Sequence, residues 1–252
     1  CIRTERFRSI NWKTGLKRQD YRRLLISRRC GSQLNLERRS NAVAVIPALN
    51  EVETIGKVMQ KLKRKMDVVV VDDGSTDTTA EASQKCGAYV IKKSETEGYE
   101  AALRSGLIWA KTQPYAYAIT IDADGEIDPK YAFSVLSGLK GGADLVVGRR
   151  HSFPRVSERI FSIFAKFHWS ISDPLCGLKG YRLDFLNDNV LIHDFDSVGT
   201  IWMLRILKKN RELNVMQIDV KTELRQSKSR FGNSLKSELT ILNAMFYCFI
   251  DR

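Results

Sequence analysis

From residue 42 onward, apolar runs of strand length alternate with segments of helical spacing. This rhythm constrains the fold more than any other feature of the chain. AVAVIPA (42–48), DVVVVDDG (67–74), AYVIKK (88–93), AYAITID (116–122) and ADLVVGRR (143–150) read as strands. Near-continuous apolar runs of this length suit strands covered on both faces. The first intervening helix is expected from Glu51 onward, with Val52, Ile55, Val58, Met59 and Leu62 in one stripe. STDTTAEASQKCG (75–87) reads as a capped helix ended by Gly87, and Tyr99 to Lys111 as the next. DPKYAFSVLSGLKG (128–141) follows, entered through Asp128 and Pro129. The expected class is α/β, a Rossmann-like and mostly parallel sheet with helices on both faces.

After residue 150 the rhythm weakens. ERIFSIFAKFHWSIS (158–172) places Ile160, Phe161, Phe164 and Phe167 on one side, which is expected to pack against the sheet. Its functional alternative is a face turned to an acceptor or a membrane. A glycine-rich loop, DPLCGLKGYR (173–182), then an edge strand, NVMQIDV (214–220), and a cationic loop, RQSKSRFG (225–232), complete the reading. The longest late apolar run, LTILNAMFYCFI (239–250), is too short to cross a bilayer and reads as a final helix.

Carboxylates gather where the strands end. Asn50 and Glu51 follow the first strand, Asp72 and Asp73 the second, and Asp122, Asp124, Glu126 and Asp128 the run AYAITID. Asp is a poor strand former and is costly to bury without a partner. In open α/β sheets, ligands bind beyond the carboxyl ends of the strands. One such cluster would be an ordinary helix cap, whereas three on one rim point to a bound ligand. Asp-x-Asp offers hard oxygen donors suited to Mg²⁺ or Mn²⁺, which take few protein ligands and complete their shell with phosphate oxygens. Arg225, Lys228 and Arg230 could return over the rim to such phosphates. DADGEID is a poor calcium loop, because its glycine comes too early and a strand precedes it. VVVVDDG lacks the surroundings of a receiver phosphoacceptor, and neither GxxxxGK[ST] nor GxGxxG occurs. His151, His168 and His193 share no pattern and are expected to be structural or solvent-facing.

The 252-residue chain carries a net charge of +12, unevenly placed. Residues 1–41 hold twelve basic residues against three acids, so they form a basic, partly disordered extension ahead of a single domain at 42–252. Attraction of that extension to an anionic lipid surface is the sharper reading, and nucleic acid is disfavoured because no recognition module is present. Five cysteines without a CxxC pair favour a reducing cytoplasm and argue against structural zinc, and no signal peptide is visible. The expected location is cytoplasmic, with peripheral contact at the cytoplasmic membrane face.

AVAVIPALNE, VVVVDDGSTDTT and ITIDADGEI, in this order and spacing, resemble the signature of glycosyltransferase family 2 on the GT-A fold. The resemblance is strong over roughly 42–150 and weaker to about 232. It is nearest to the dolichol- or polyprenyl-phosphate sugar transferases and related cell-envelope enzymes. It implies a metal-dependent inverting hexosyltransferase that uses a nucleotide-diphosphate sugar and a lipid-phosphate or glycan acceptor. Pro47, Ala48, Asn50, Glu51, Asp72, Asp73 and Asp122 would then bind the donor. Asp122, Asp124 and Glu126 would hold Mg²⁺ or Mn²⁺ in the DXD motif, and Arg225 and Lys228 would contact phosphate. Lys179, in CGLKGYR, stands for an Arg of the family and would lie near the acceptor. Asp173 would serve as base for a hydroxyl acceptor, while a phosphate acceptor would need none. Gln217, Ile218 and Asp219 depart from the family's Glu-Val-Pro, and ETEGYEAA lacks its usual Asn. Two other classes stay open: a nucleotidyltransferase on a related fold, for which PALNE lacks the Gly-rich loop, and a catalytically inactive basic binding protein.

Overall fold

A computed structural model describes residues 40–186, 200, 203–204, 207–208, 212–223 and 235–250, with side chains of the last helix described over 238–246. The basic extension therefore lies outside the described residues, apart from Ser40 and Asn41. The elements are, in order, β1 Ala42–Ala48, α1 Val52–Leu62, β2 Asp67–Asp72, α2 Thr79–Lys85, β3 Tyr89–Lys92, α3 Tyr99–Thr112 and β4 Tyr117–Thr120. They continue with α4 Lys130–Lys140, β5 Leu145–Arg150, α5 Val156–Trp169, β6 Lys179–Arg182, β7 Val215–Val220 and α6 Leu235–Ile250.

The strands form one seven-stranded sheet in the order β3-β2-β1-β4-β6-β5-β7. Only β6 runs antiparallel to its neighbours, β4 and β5. The expected α/β class and mostly parallel sheet are therefore present. Alternate residues of β1 face opposite cores, as the two-residue period of a strand requires. Val43 and Val45 meet Leu103 and Leu107 of α3 and Phe161 and Ala165 of α5. Ala44 and Ile46 meet Ile55 and Met59 of α1 and Val135 and Leu139 of α4.

The chain runs from β1 outward through β2 to β3, then returns to place β4 on the other side of β1. That reversal opens a crevice at the carboxyl ends of β1 and β4. Pro47 fits the opening. The Val45 carbonyl faces β4 and accepts a hydrogen bond from Ile121 N at 3.2 Å. Two residues on, Pro47 faces the same side, beyond the last β1–β4 pair, Val45 with Thr120. A residue without an N–H is tolerated there because no ladder bond is required.

Three sequence expectations change. Helix α2 begins at Thr79 rather than at the Ser-Thr-Asp stretch, because those residues bond back to Asn50 instead of entering the helix. Val52 opens α1 but is partly exposed, while Thr54 takes a buried place on that helix. On α5 only Phe161 of the four expected core residues is fully buried. Phe164 is partly buried, and Ile160 and Phe167 are exposed. The last two lie seven residues apart, so they share a stripe on the opposite face of the helix.

Candidate active site

The β1–α1 and β2–α2 turns are built as one unit. Asn50 adopts φ +54°, a left-handed conformation that Asn tolerates better than most residues. Its Oδ1 accepts hydrogen bonds from Thr76 N at 2.9 Å, Thr76 Oγ1 at 3.2 Å and Asp77 N at 3.4 Å. Its own N–H donates to Ser75 Oγ at 2.9 Å. Glu51 N donates to Thr79 Oγ1 at 2.8 Å, and the buried Glu51 carboxylate accepts from Thr54 Oγ1 at 3.0 Å. Asn50 and Glu51 thus brace the loop wall of the crevice.

The two acids after β2 have different surroundings. Asp73 is fully engaged: Glu97 N and Gly98 N donate to it at 3.1 and 2.8 Å, and Lys93 Nζ lies 3.3 Å away. It ties the loop before α3 to β2. Asp72 is fully buried, and its Oδ1 accepts from Ser75 N at 3.1 Å. Its Oδ2 is buried with no hydrogen-bond partner among the described residues. Leaving a carboxylate oxygen in that state costs on the order of 1–3 kcal/mol or more. Gly74, at φ +81°, turns the chain so tightly that a Cβ would come within 2.9 Å of the Glu95 backbone.

Across the crevice, β4 delivers Asp122 and Asp124. Tyr99 Oη, at the start of α3, donates to Asp122 Oδ1 at 2.7 Å. Burial, and then the carboxylate of Asp122, push the Tyr99 phenol well above its ordinary value, so it stays a neutral donor. Asp122 packs directly over Gly177, where a Cβ would lie 2.1 Å from Oδ2. Asp124 is buried and caps its own turn by accepting from Glu126 N at 3.0 Å. Among the described residues, no group of three His, Cys, Asp or Glu side chains is gathered to hold a metal ion. Asp122, Asp124 and Glu126 follow one another in the turn after β4. Their carboxylates are hard oxygen donors of the type that suits Mg²⁺ or Mn²⁺ where phosphate oxygens and water complete the shell.

The third wall comes from β5 and the glycine-rich loop. Arg150 holds Asp173 from three directions: Nε to Oδ2 at 2.8 Å, Nη2 to Oδ1 at 3.0 Å and the backbone N to Oδ2 at 3.0 Å. Arg150 also reaches Glu158 at 3.3 Å, and Arg155 bonds Glu158 at 2.6 Å. Burial alone would lower the Arg150 value, but its bonds to Asp173 more than offset this and raise it. Asp173 is fully buried with both oxygens engaged. Lys179 is buried in β6, donating to the Cys176 carbonyl at 2.5 Å, and burial lowers its pKa. Arg225 and Lys228 lie outside the described residues. The chain leading to them is tied to the site: Thr222 bridges Ile127, and Glu223 N donates to Glu126 O at 2.8 Å.

Tyr99, Gly177 and Arg150 join the site without having been singled out from the sequence. Tyr99 follows a glycine at the start of a helix on the same rim, and that was the available signal. Gly177 and Arg150 had none beyond their place near strand ends.

The sequence profile of "Glycosyl transferase family 2" matches residues 43–198, more than half of the chain. An uncharacterized protein of Methanocaldococcus jannaschii is 35% identical over 213 residues, covering 78% of this chain and 87% of its own length. A dolichyl-phosphate hexose transferase of Haloferax volcanii is 29% identical, covering 70% of this chain and 80% of its own. An undecaprenyl-phosphate mannosyltransferase of Micrococcus luteus is 29% identical, covering 57% and 67%. Among solved structures, glucosyl-3-phosphoglycerate synthase of Mycobacterium tuberculosis, in complex with Mn²⁺, UDP and glucosyl-3-phosphoglycerate, superposes with TM-score 0.67 at 17% identity. It covers 95% of this chain and 85% of its own. The crevice between β1 and β4, its carboxylate rim and these matches agree: the chain belongs to glycosyl transferase family 2 and is a glycosyltransferase on the GT-A fold.

Proposed function

We propose that this enzyme transfers a hexosyl group, with inversion, from a nucleoside-diphosphate sugar to a polyprenyl phosphate. The observation that carries the donor half is the buried, unpartnered Asp72 Oδ2 at the carboxyl end of β2, beside the end of β1. A hydroxyl or N–H of a nucleoside would satisfy it. The names of the Haloferax and Micrococcus relatives support the acceptor half.

In this reading Pro47 and Ala48 end β1 beneath the donor, and Asn50 and Glu51 hold the loop beside it. Asp73 fixes the loop before α3, so that Tyr99 can orient Asp122. A divalent ion bound by Asp122 and Asp124 would neutralise charge on the departing diphosphate. Glu126 anchors the segment that leads to Arg225 and Lys228, which contact phosphate in this reading. An acceptor phosphate oxygen forms the new bond to the anomeric carbon as the bond to the diphosphate oxygen breaks, and no proton has to move. Asp173, locked to Arg150, positions the β5 exit instead of abstracting a proton. Lys179 supports the glycine-rich loop from below through the Cys176 carbonyl.

The test is transfer of labelled sugar from a panel of nucleoside-diphosphate hexoses to an isoprenyl phosphate, with Mn²⁺ or with EDTA. One donor class should label the lipid with Mn²⁺, and both EDTA and Asp124→Asn should abolish labelling. Labelling that is indifferent to both would remove the proposed roles of the metal and of Asp124. No lipid labelling from any donor would remove the acceptor assignment.

A further inference from the structure

Helix α5 is apolar on two faces. One carries Phe161 and Ala165 into the core. The other carries Val156, Ile160, Ile163 and Phe167, which are 67%, 43%, 72% and 84% exposed. Their spacing of four, three and four residues sets them in one stripe along the helix. Its partner α6 also exposes Leu239 and Phe246. An exposed apolar stripe of this length is unusual for a surface that meets only water.

On α5 the exposed charges beside the stripe are basic, while Glu238 of α6 is tied to the start of α5 by accepting from Ser157 N at 2.9 Å. Arg159 and Lys166 are exposed on α5, and the helix's one acid, Glu158, is buried against Arg150 and Arg155. This selects among possible occupants. A second copy docked by the same face across a two-fold would set Arg159 and Lys166 of one copy near those of the other. The extension 1–41 carries +9 and is repelled in the same way. An anionic lipid surface matches both features: apolar side chains enter the headgroup boundary while basic ones meet phosphate.

The helix is also held rigidly beside the site. At its start, Arg155 and Glu158 join the Arg150–Asp173 pair at the carboxyl end of β5. At its end, Ser172 N donates to Gln217 Oε1 at 2.7 Å, and Gln217 Nε2 donates to Ser170 O at 2.8 Å. Strand β5 runs parallel to β1 and β4, so its carboxyl end lies on the carboxylate rim.

We propose that the exposed face of α5 docks this enzyme on an anionic membrane surface, bringing the crevice mouth to the level of lipid phosphates. As an account of how the acceptor is reached, this rests on the polyprenyl-phosphate reading above. The docking itself can be measured separately.

The test is flotation of the full chain with phosphatidylglycerol-containing vesicles and with pure phosphatidylcholine vesicles. Wild type should bind the anionic vesicles. Ile163→Glu/Phe167→Glu should bind about tenfold more weakly or worse, with unchanged thermal stability because both side chains already face out. Arg159→Glu/Lys166→Glu should lose at least about fivefold per charge, on anionic vesicles only. Both variants should keep wild-type transfer to a water-soluble short-chain isoprenyl phosphate and lose it to a long-chain acceptor in vesicles. Equal binding of wild type and Ile163→Glu/Phe167→Glu overturns the proposal, as does equal binding to neutral vesicles. So does a wild-type dimer that Ile163→Glu/Phe167→Glu dissolves, which would make a second copy the occupant. If wild type transfers to the soluble acceptor while flotation ignores these substitutions, docking falls and the acceptor reading stands. If it docks by this face but transfers to no isoprenyl phosphate, the reverse holds.

Discussion

Replacing Gly177 by alanine sets a methyl group 2.1 Å from Asp122 Oδ2. Contacts under 3.0 Å are essentially never seen, so the carboxylate must move by about 1 Å. Gly177 does not occupy the positive-φ region, so the backbone accepts alanine without strain and the whole effect passes through this contact. Moving Asp122 stretches its 2.7 Å bond from Tyr99, a partly buried side chain. Losing that bond costs about 1–3 kcal/mol of stability. A displacement of about 1 Å in a positioning group can lower kcat/KM by about 10²-fold, or about 2.7 kcal/mol. Steady-state kinetics with the preferred donor, at several Mn²⁺ concentrations, would read this as weakened metal dependence together with a fallen kcat. Gly177→Ala with wild-type kinetics would show that Asp122 takes no part in catalysis, and the reasoning about the DXD pair would fail.

Other substitutions separate binding from stability. Asp72→Asn keeps an acceptor for Ser75 N but alters the unpartnered oxygen. It should weaken donor binding about tenfold or more by calorimetry while Tm holds or rises, and a large fall in Tm would mark Asp72 as structural. Asp173→Ala strands Arg150 in a buried site, so unfolding should lose about 3–5 kcal/mol in a denaturant titration. An unchanged midpoint would mean the pair is not buried as described. Burial, and then Asp173, push the Cys176 thiol up to about 12. Iodoacetamide at pH 8 should therefore leave Cys176 unmodified in the folded protein and alkylate it only on unfolding, and rapid native alkylation would refute its enclosure.

The parallel architecture was legible because it rests on runs such as VVVVDD, whose apolar continuity only a doubly covered strand explains. The carboxylate rim was legible because acids at strand ends have no core role. The side chains that support them were not. Nothing local tells that Asn50 will turn left-handed and hold Thr76 and Asp77, because those partners lie 26 and 27 residues away. Asp72 and Asp73 are adjacent in sequence, yet one is saturated by the loop before α3 and the other keeps an open oxygen. Helix α5 was read by residue type, which counted Ile160 and Phe167 as core. Tertiary packing placed α6 and the sheet against only one of its two apolar faces.

The central claim is that the crevice between β1 and β4 is a metal-assisted nucleotide-sugar site. A thermal-shift panel of nucleoside diphosphates and their sugars, with Mn²⁺ and with EDTA, on wild type and Asp124→Ala tests it most directly. The account predicts stabilisation by one nucleoside class, about 2.7 kcal/mol at a hundred times Kd. That stabilisation should require Mn²⁺ and vanish in Asp124→Ala. No stabilisation by any nucleotide under any condition would contradict the account and leave a GT-A fold without a donor site.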